Sequence, residues 1–151
     1  MQIKLTLPDP NLKFKLVSQT TQVFDEVRKK FIVFTPEERV RQYIIHFLNS
    51  YKQYPFGLMK LEHTLKYYKL RCRADVVIYN KFGKPMMIIE CKAPNVKINR
   101  DVFNQITKYN FDLKVPYLLI SNGVEHFCCN IDHSKQKVQF LSDIPLFDIL
   151  N

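Results

Sequence analysis

The chain has 151 residues, and 23 Lys and Arg against 14 Asp and Glu give it a formal net charge of +9. We expect one domain, long enough to bury roughly 70% of its unfolded surface without a disulfide or a metal, and too short to include a motor or a methyltransferase. Hydrophobic residues make up 46% of the chain and charged residues 25%, which is typical of a globular protein rather than a disordered one.

At the N-terminus, apolar residues alternate with polar ones over residues 3–7 and again over 12–16. This period of two predicts a pair of strands around the turn at Pro8-Asp9-Pro10. Lysines at positions 4, 13 and 15 interrupt every apolar run. We therefore expect no signal peptide and no membrane-spanning segment, and a cytoplasmic protein.

A helix start follows at Thr35-Pro36-Glu37-Glu38, with Thr35 as N-cap, Pro36 in the first turn and Glu38 completing a capping box. Apolar residues then recur at helical spacing as far as Tyr51. Downstream, we predict strands near 58–67, 73–79, 86–92, 117–120, 126–130 and 137–141, and a second helix over 99–110. The order indicates an α/β domain, divided into an N-terminal strand and extension region (1–34), a core (35–145) and a tail (146–151).

Two apolar strands carry charged residues where a buried sheet should have none. If a four-residue turn at Lys81–Lys84 joins them, Asp75 lies directly opposite Glu90, with Cβ atoms about 5 Å apart. Lys92 follows Glu90 by two residues and projects from the same face. Two close carboxylates repel each other, and a bound Mg²⁺ or Mn²⁺ would remove that conflict. The alternative is an ion pair of Lys92 with one carboxylate that only stabilises the hairpin. The spacing alone does not choose between them.

The residues around this pattern help to distinguish a metal site from an ion pair of Lys92. Asp75 followed by Glu90-Cys91-Lys92 on a strand hairpin resembles the PD-(D/E)XK nucleases. Further segments are similar to the N-terminal domain of type I restriction enzyme R subunits, in order along the chain: Phe24–Lys30, Thr35–Gln42, Arg73–Val77, Gly83–Pro85, Ile89–Pro94, Gln105–Asn110 and Ser121–Gly123. The resemblance runs from about residue 3 to residue 145 and leaves one departure, Ala74 in place of the Pro of the motif name.

This resemblance implies a restriction-endonuclease-like fold, with a central mixed β-sheet flanked by α-helices. It implies that Asp75, Glu90 and the main-chain carbonyl of Cys91 bind Mg²⁺, with Mn²⁺ as a substitute, and that Lys92 is the catalytic lysine. Gln105 and Tyr109 lie four residues apart on one helix face and match a Gln-x-x-x-Tyr motif of related nucleases.

Three further residues are candidates for a supporting role. Glu37 continues the apolar stripe of the first helix and is one candidate for an accessory acid, although an acid in the first turn also fits the helix dipole. Glu62, on the strand before Arg73, is the rival candidate. Arg73 is two residues from Asp75 and would contact phosphate or pair with an acid.

The expected function is metal-dependent hydrolysis of DNA phosphodiester bonds. The alternative is a module for nucleic-acid binding or subunit interaction that keeps the nuclease fold without cutting. The net positive charge favours a polyphosphate partner in either case. Expected partners are DNA and motor or specificity subunits encoded elsewhere, and a homodimer is one expected assembly because many nucleases of this superfamily dimerise.

Overall fold

The computed structural model describes residues 2–150, apart from the side chains of Tyr67, Tyr109 and Asp112. Two α-helices are present in this part of the chain, α1 (Pro36–Lys52) and α2 (Arg100–Leu113). The strands are β1 (Phe14–Val17), β2 (Thr20–Asp25), β3 (Lys30–Val33), β4 (Met59–Tyr67), β5 (Leu70–Tyr79), β6 (Pro85–Cys91), β7 (Tyr117–Ser121), β8 (His126–Asp132) and β9 (Lys137–Phe140).

A six-stranded sheet in the order β4-β5-β6-β7-β8-β9 forms the centre of the fold. Strands β6 and β7 are parallel and all other neighbours are antiparallel, so the sheet is mixed, as predicted. One face packs against α1 through residues such as Ile44 and Ile89. The other face belongs to a second apolar cluster, in which Ile88 and Leu118 join Ile106 of α2. The short 3-10 helix at Phe147–Leu150 also packs into the α1 cluster, so the tail covers the sheet.

Helix α1 begins where its sequence predicts. The Thr35 hydroxyl accepts a hydrogen bond from the Glu38 N–H at 3.0 Å, which satisfies one of the donors that a helix start leaves without an intrahelical partner. The helix ends at Gln53, whose left-handed φ of 66° turns the chain away. Neither helix of the described chain is both long and apolar enough to cross a membrane.

The hairpin of β5 and β6 has a register that its turn alone would not give. Five residues, 80–84, connect the pair Tyr79 and Pro85, and the register then shifts by one residue because Met86 has no counterpart between Ile78 and Tyr79. Val76 therefore pairs with Ile89, and the next position places Asp75 opposite Glu90. The predicted four-residue turn is wrong, but the predicted opposition of the two carboxylates is found.

The hairpin of β4 and β5 changes face midway along its length. Glu62 has a left-handed φ of 52° in the middle of β4, an uncommon conformation for a side chain of this kind. Before this point Leu61 and its partner Val76 pack on the α1 side, whereas Leu65 and Ala74 beyond it belong to the α2 cluster. Residues two or four apart on a regular strand would share one face. The outer half of the hairpin is thus rotated relative to its inner half, and Asp75 lies at the boundary.

The N-terminal region differs from the prediction. Residues 2–13 form no strand, and β1 pairs instead with β2, which pairs with β3 in a separate three-stranded sheet. Pro8 and Pro10 lack the N–H groups that a strand ladder needs, which explains the error. Leu5 lies buried against Gly123, whose φ of 85° and close approach to Leu5 leave no room for a Cβ atom.

Candidate active site

Asp75 and Glu90 come together where β5 and β6 separate. The Cys91 N–H donates to Asp75 Oδ2 at 2.7 Å, which ties this carboxylate to the main chain beside Glu90. Burial, followed by the charge of Asp75 and a hydrogen bond with it, raises the pKa of Glu90 to about 8, although Lys92 and Arg41 act in the opposite direction. Without a cation, the pair therefore retains a proton near neutral pH.

Lys92 and Gln105 share a cleft with Glu90. The cleft has a volume of about 410 Å³, and Arg71 and Arg73 contribute to its wall. Lys92 directly follows β6, which positions it at the cleft. Its N–H donates to the Ser121 carbonyl at 2.8 Å and continues the parallel pairing with β7. Gln105 comes from α2, while the Tyr109 side chain lies outside the described residues. The cleft thus combines an acid, an amine and an amide.

The donor set of this site consists of oxygen atoms. Among the described residues, no group of three His, Cys, Asp or Glu side chains is arranged to hold a metal. The donors expected from the sequence are two carboxylates and the main-chain carbonyl of Cys91. Mg²⁺ commonly binds through one or two carboxylates and keeps several water ligands. The raised pKa of Glu90 indicates a pair that lacks positive charge. Both observations fit a hard divalent cation.

The Cys91 side chain faces away from the cleft. It is buried in the α1 cluster, and burial raises the pKa of its thiol well above the usual range. The four cysteines, Cys72, Cys91, Cys128 and Cys129, are all free. Cys91 therefore offers the site its main-chain groups rather than a thiolate.

A second set of charged residues lies on the α1 side of the sheet. Glu38 is 2% exposed and accepts hydrogen bonds from Arg28 at 2.8 Å and from Arg41 at 3.1 Å. Asp25 is fully buried and accepts from Arg28 at 2.7 Å and from Gln42 at 3.0 Å. We call these five residues the α1 charge network. It joins the end of β2 to helix α1.

Arg41 extends this network to the candidate site. Its Nη1 donates to Glu62 Oε1 and lies 3.5 Å from the main-chain oxygen of Asp75. Glu62 also accepts two hydrogen bonds from Arg73, at 2.8 and 3.0 Å. Burial lowers the pKa of the Arg41 guanidinium, but the charges and hydrogen bonds of Glu38 and Glu62 outweigh burial and raise it. Arg41 therefore remains charged and fixes the main chain next to Asp75.

The two candidates for an accessory acid take different positions. Glu37 is exposed in the first turn of α1, so the expectation that it continues the buried stripe is wrong, and the neighbouring Glu38 is the buried acid. Glu62 is near the site, but its carboxylate is held by two arginines. Burial raises the pKa of Glu62, and the hydrogen bonds from Arg41 and Arg73 outweigh that effect and lower it. Arg73 pairs with an acid, one of the two roles predicted for it.

The sequence reasoning missed Arg41 and Glu38 as partners of the site. One signal was present, because Arg41 lies next to Val40 and four residues before Ile45, within the buried stripe of α1. A charged residue in an apolar stripe is unusual and predicts a buried partner.

Together, the six-stranded mixed sheet and the helix on each side of it are consistent with a nuclease-like fold. Comparison with known families gives the particular assignment. The chain belongs to the family described as type I restriction enzyme R protein N terminus (HSDR_N), whose model matches residues 36–145, more than half of the chain.

A solved structure has the same fold. It is a fragment of a candidate HsdR subunit of a type I restriction enzyme from Vibrio vulnificus YJ016, with a TM-score of 0.54 and 20% sequence identity. The similarity covers 78% of this chain and 24% of that chain, so the present chain spans about a quarter of its length. Comparison with curated proteins gives no match.

Proposed function

We propose that this chain is a Mg²⁺-dependent endonuclease domain that hydrolyses DNA phosphodiester bonds within a type I restriction system. The observation that carries the proposal is the contact of Asp75 with Glu90, which lines a cleft together with Lys92. Family membership supports the restriction role, because the R protein is named as a subunit of these enzymes. The proposed location is the cytoplasm, where such a domain would meet DNA.

Asp75, Glu90 and the main-chain carbonyl of Cys91 would hold the cation. A bound Mg²⁺ neutralises charge on a phosphate and lowers the pKa of a coordinated water, and Mn²⁺ can take its place. The protein prepares this site in two ways. The Cys91 N–H fixes the orientation of Asp75, and the contact between Asp75 and Glu90 brings the two carboxylates together at the edge of the cleft.

Lys92 would act on the attacking water and on the developing negative charge. Its ammonium group shares the cleft with Glu90, so a phosphodiester bound there lies within its reach. Gln105 would contact a phosphate or base through its amide, and Arg73, held by Glu62, would face the DNA backbone. Tyr109, one helical turn after Gln105, would support the same helix face.

The cutting reaction would have partners in the cell. We propose that motor and specificity subunits deliver the DNA, and that a homodimer is one way in which both strands are cut. A non-cleaving module that binds DNA or another subunit is the second candidate. Its support is the 24% coverage of the similar chain, which leaves most of that protein outside the comparison.

A nicking assay on supercoiled plasmid in Mg²⁺ tests the proposal. Asp75→Ala and Lys92→Ala should each lower the rate by on the order of 100-fold or more, because each removes a group that acts on the reacting phosphate. Lys29→Ala is the matched control, since Lys29 forms only an exposed pair with Glu26. Full activity in both site variants would overturn the assignment. Wild-type protein that binds the plasmid but does not cut it in Mg²⁺ or Mn²⁺ would favour the non-cleaving module.

A further inference from the structure

We propose that the outer half of the β4–β5 hairpin, residues 64–73, is an arm that binds the phosphate backbone of DNA beside the candidate active site. We call this segment the basic arm. The inference rests on the proposed function and adds the surface along which DNA approaches the cleft. Nothing in the family description assigns a role to this segment.

The basic arm has a strong local excess of positive charge. It contains Lys66, Lys69, Arg71 and Arg73 and no Asp or Glu. Arg73 pairs with Glu62 at the base of the arm. Among the side chains that the structure describes, no carboxylate lies within ion-pair distance of the other three cations. The protein itself therefore leaves most of this charge uncompensated.

Two of these cations directly oppose each other. Lys66 pairs with Arg71 across the two strands, and Thr64 pairs with Arg73, so the four side chains share one face. All four are exposed. Like charges directly opposite each other on a sheet are unfavourable for the free protein. A polyanion that binds this face would remove the repulsion and release its own counterions.

The shape of the arm leaves that face accessible. The described pairing of β5 with β6 ends at Val76, so residues 70–74 have a strand partner only in β4. The opposite face of the arm is anchored, because Leu65 and Cys72 pack with the α2 cluster. The tip, Tyr68, is 91% exposed. The result is a fixed hairpin with one solvent-facing cationic side.

The position of the arm selects DNA over other acidic partners. Arg71 and Arg73 line the same cleft as Glu90 and Lys92, so one end of the row of cations lies at the candidate active site. DNA bound along the arm would place a phosphodiester at the cleft. An acidic protein on the same face would block that cleft instead.

Binding of a 30-base-pair duplex, followed by fluorescence anisotropy over a range of salt concentrations in EDTA, tests the arm without cleavage. The double variant Lys66→Ala/Arg71→Ala should weaken binding by at least about 10-fold and reduce the slope of log K against log salt by about 2, roughly one per lost phosphate contact. The matched control is Lys135→Ala/Lys137→Ala, which removes the same charge at the far edge of the sheet. The conservative double variant Lys66→Arg/Arg71→Lys should bind as the wild type does.

The outcomes separate the arm from the proposed function. If the arm variant and the control variant show equal decreases in affinity and in salt slope, the proposed role of the basic arm is wrong. Plasmid nicking by the wild type would still support the nuclease. If the arm variant binds normally to DNA but loses binding to duplex RNA, the choice of DNA is wrong. If the wild type binds no DNA in EDTA, the arm is wrong, while plasmid nicking in Mg²⁺ still decides the proposed function. Loss of binding in the conservative variant would indicate a packing role and would also overturn the arm.

Discussion

The pKa values of the buried carboxylates are shifted in opposite directions on the two sides of the six-stranded sheet. On the α1 face, burial raises the pKa of Asp25, but hydrogen bonds and the charge of Arg28 outweigh burial and lower it. On the α2 face, burial and the neighbouring Asp75 raise the pKa of Glu90 to about 8, and the opposing charges of Lys92 and Arg41 do not reverse the shift. The same chemical group is thus ionised in one place and protonated in the other.

This difference identifies which acids are structural. The acids of the α1 charge network each accept hydrogen bonds from an arginine and from Gln42, so their charge is used within the protein. The hydrogen bonds described for the Asp75 and Glu90 carboxylates are to each other and to one main-chain N–H. Uncompensated buried charge is expensive, and a strongly shifted acid in a cleft is a candidate for function rather than for stability.

The largest expected effect concerns the α1 charge network. Arg41→Ala would leave the buried Glu38 with Arg28 and the neighbouring Glu62 with Arg73, but it would break the connection between them, and we expect the free energy of unfolding to fall by about 3 kcal/mol. Lys29→Ala, which breaks an exposed pair, should cost less than about 1 kcal/mol. Denaturant unfolding of both variants measures the difference. Equal losses would show that the network is no more structural than a surface pair.

The second expected effect concerns Glu90 in metal-free protein. Its pKa is raised from 4.5 to about 8, so the stability that its protonation contributes is present below pH 4.5 and is lost as the pH rises toward 8. Between pH 5 and pH 8, wild-type protein should lose about 1 to 3 kcal/mol relative to Glu90→Gln, which cannot ionise. Urea unfolding in EDTA at several pH values measures this. If the free energy of unfolding of the two proteins changes with pH in the same way, the proton is not held by Glu90.

The smallest expected effect is stabilisation by the cation itself. At ten times its dissociation constant, Mg²⁺ should stabilise the wild type by about 1.4 kcal/mol, because it binds the folded carboxylate pair. Asp75→Asn should lose this increment, whereas Lys29→Ala should keep it. Thermal unfolding with and without Mg²⁺ measures the change. An equal stabilisation of Asp75→Asn by Mg²⁺ would show that the cation does not bind the carboxylate pair.

Much of the fold could be predicted because its signals are local. Thr35 caps α1 through a hydrogen bond only three residues away, and the apolar strands around Val76 and Ile89 are buried as their composition indicates. The opposition of Asp75 and Glu90 also follows from the sequence, although the connecting turn has five residues and an extra residue after it instead of the predicted four. Local patterns thus placed Asp75 and Glu90 on the two strands in which the structure has them.

The remaining features depend on long-range contacts. Glu37 and Glu38 are adjacent at the start of one helix, and only the position of Arg28 and Arg41 decides which of them is buried. The left-handed φ of Glu62 has no sequence signal, because glycine is the residue expected there. The pairing of β1 with β2 instead of with residues 3–7 likewise depends on where Leu5 packs.

The turn between β5 and β6 has a consequence for how the sequence can vary. Surface turns normally accept insertions and deletions, and this one is exposed at Lys81, Phe82, Gly83 and Lys84. Its shape is fixed, because Asn80 Oδ1 accepts the N–H groups of Phe82 and Lys84 and Gly83 has a φ of 81°. If Met86 paired with Ile78 instead of remaining without a counterpart, Asp75 would oppose Ile89, and Glu90 would point to the α1 face. The length of an exposed turn is therefore as restricted as the identity of the two carboxylates that it brings together.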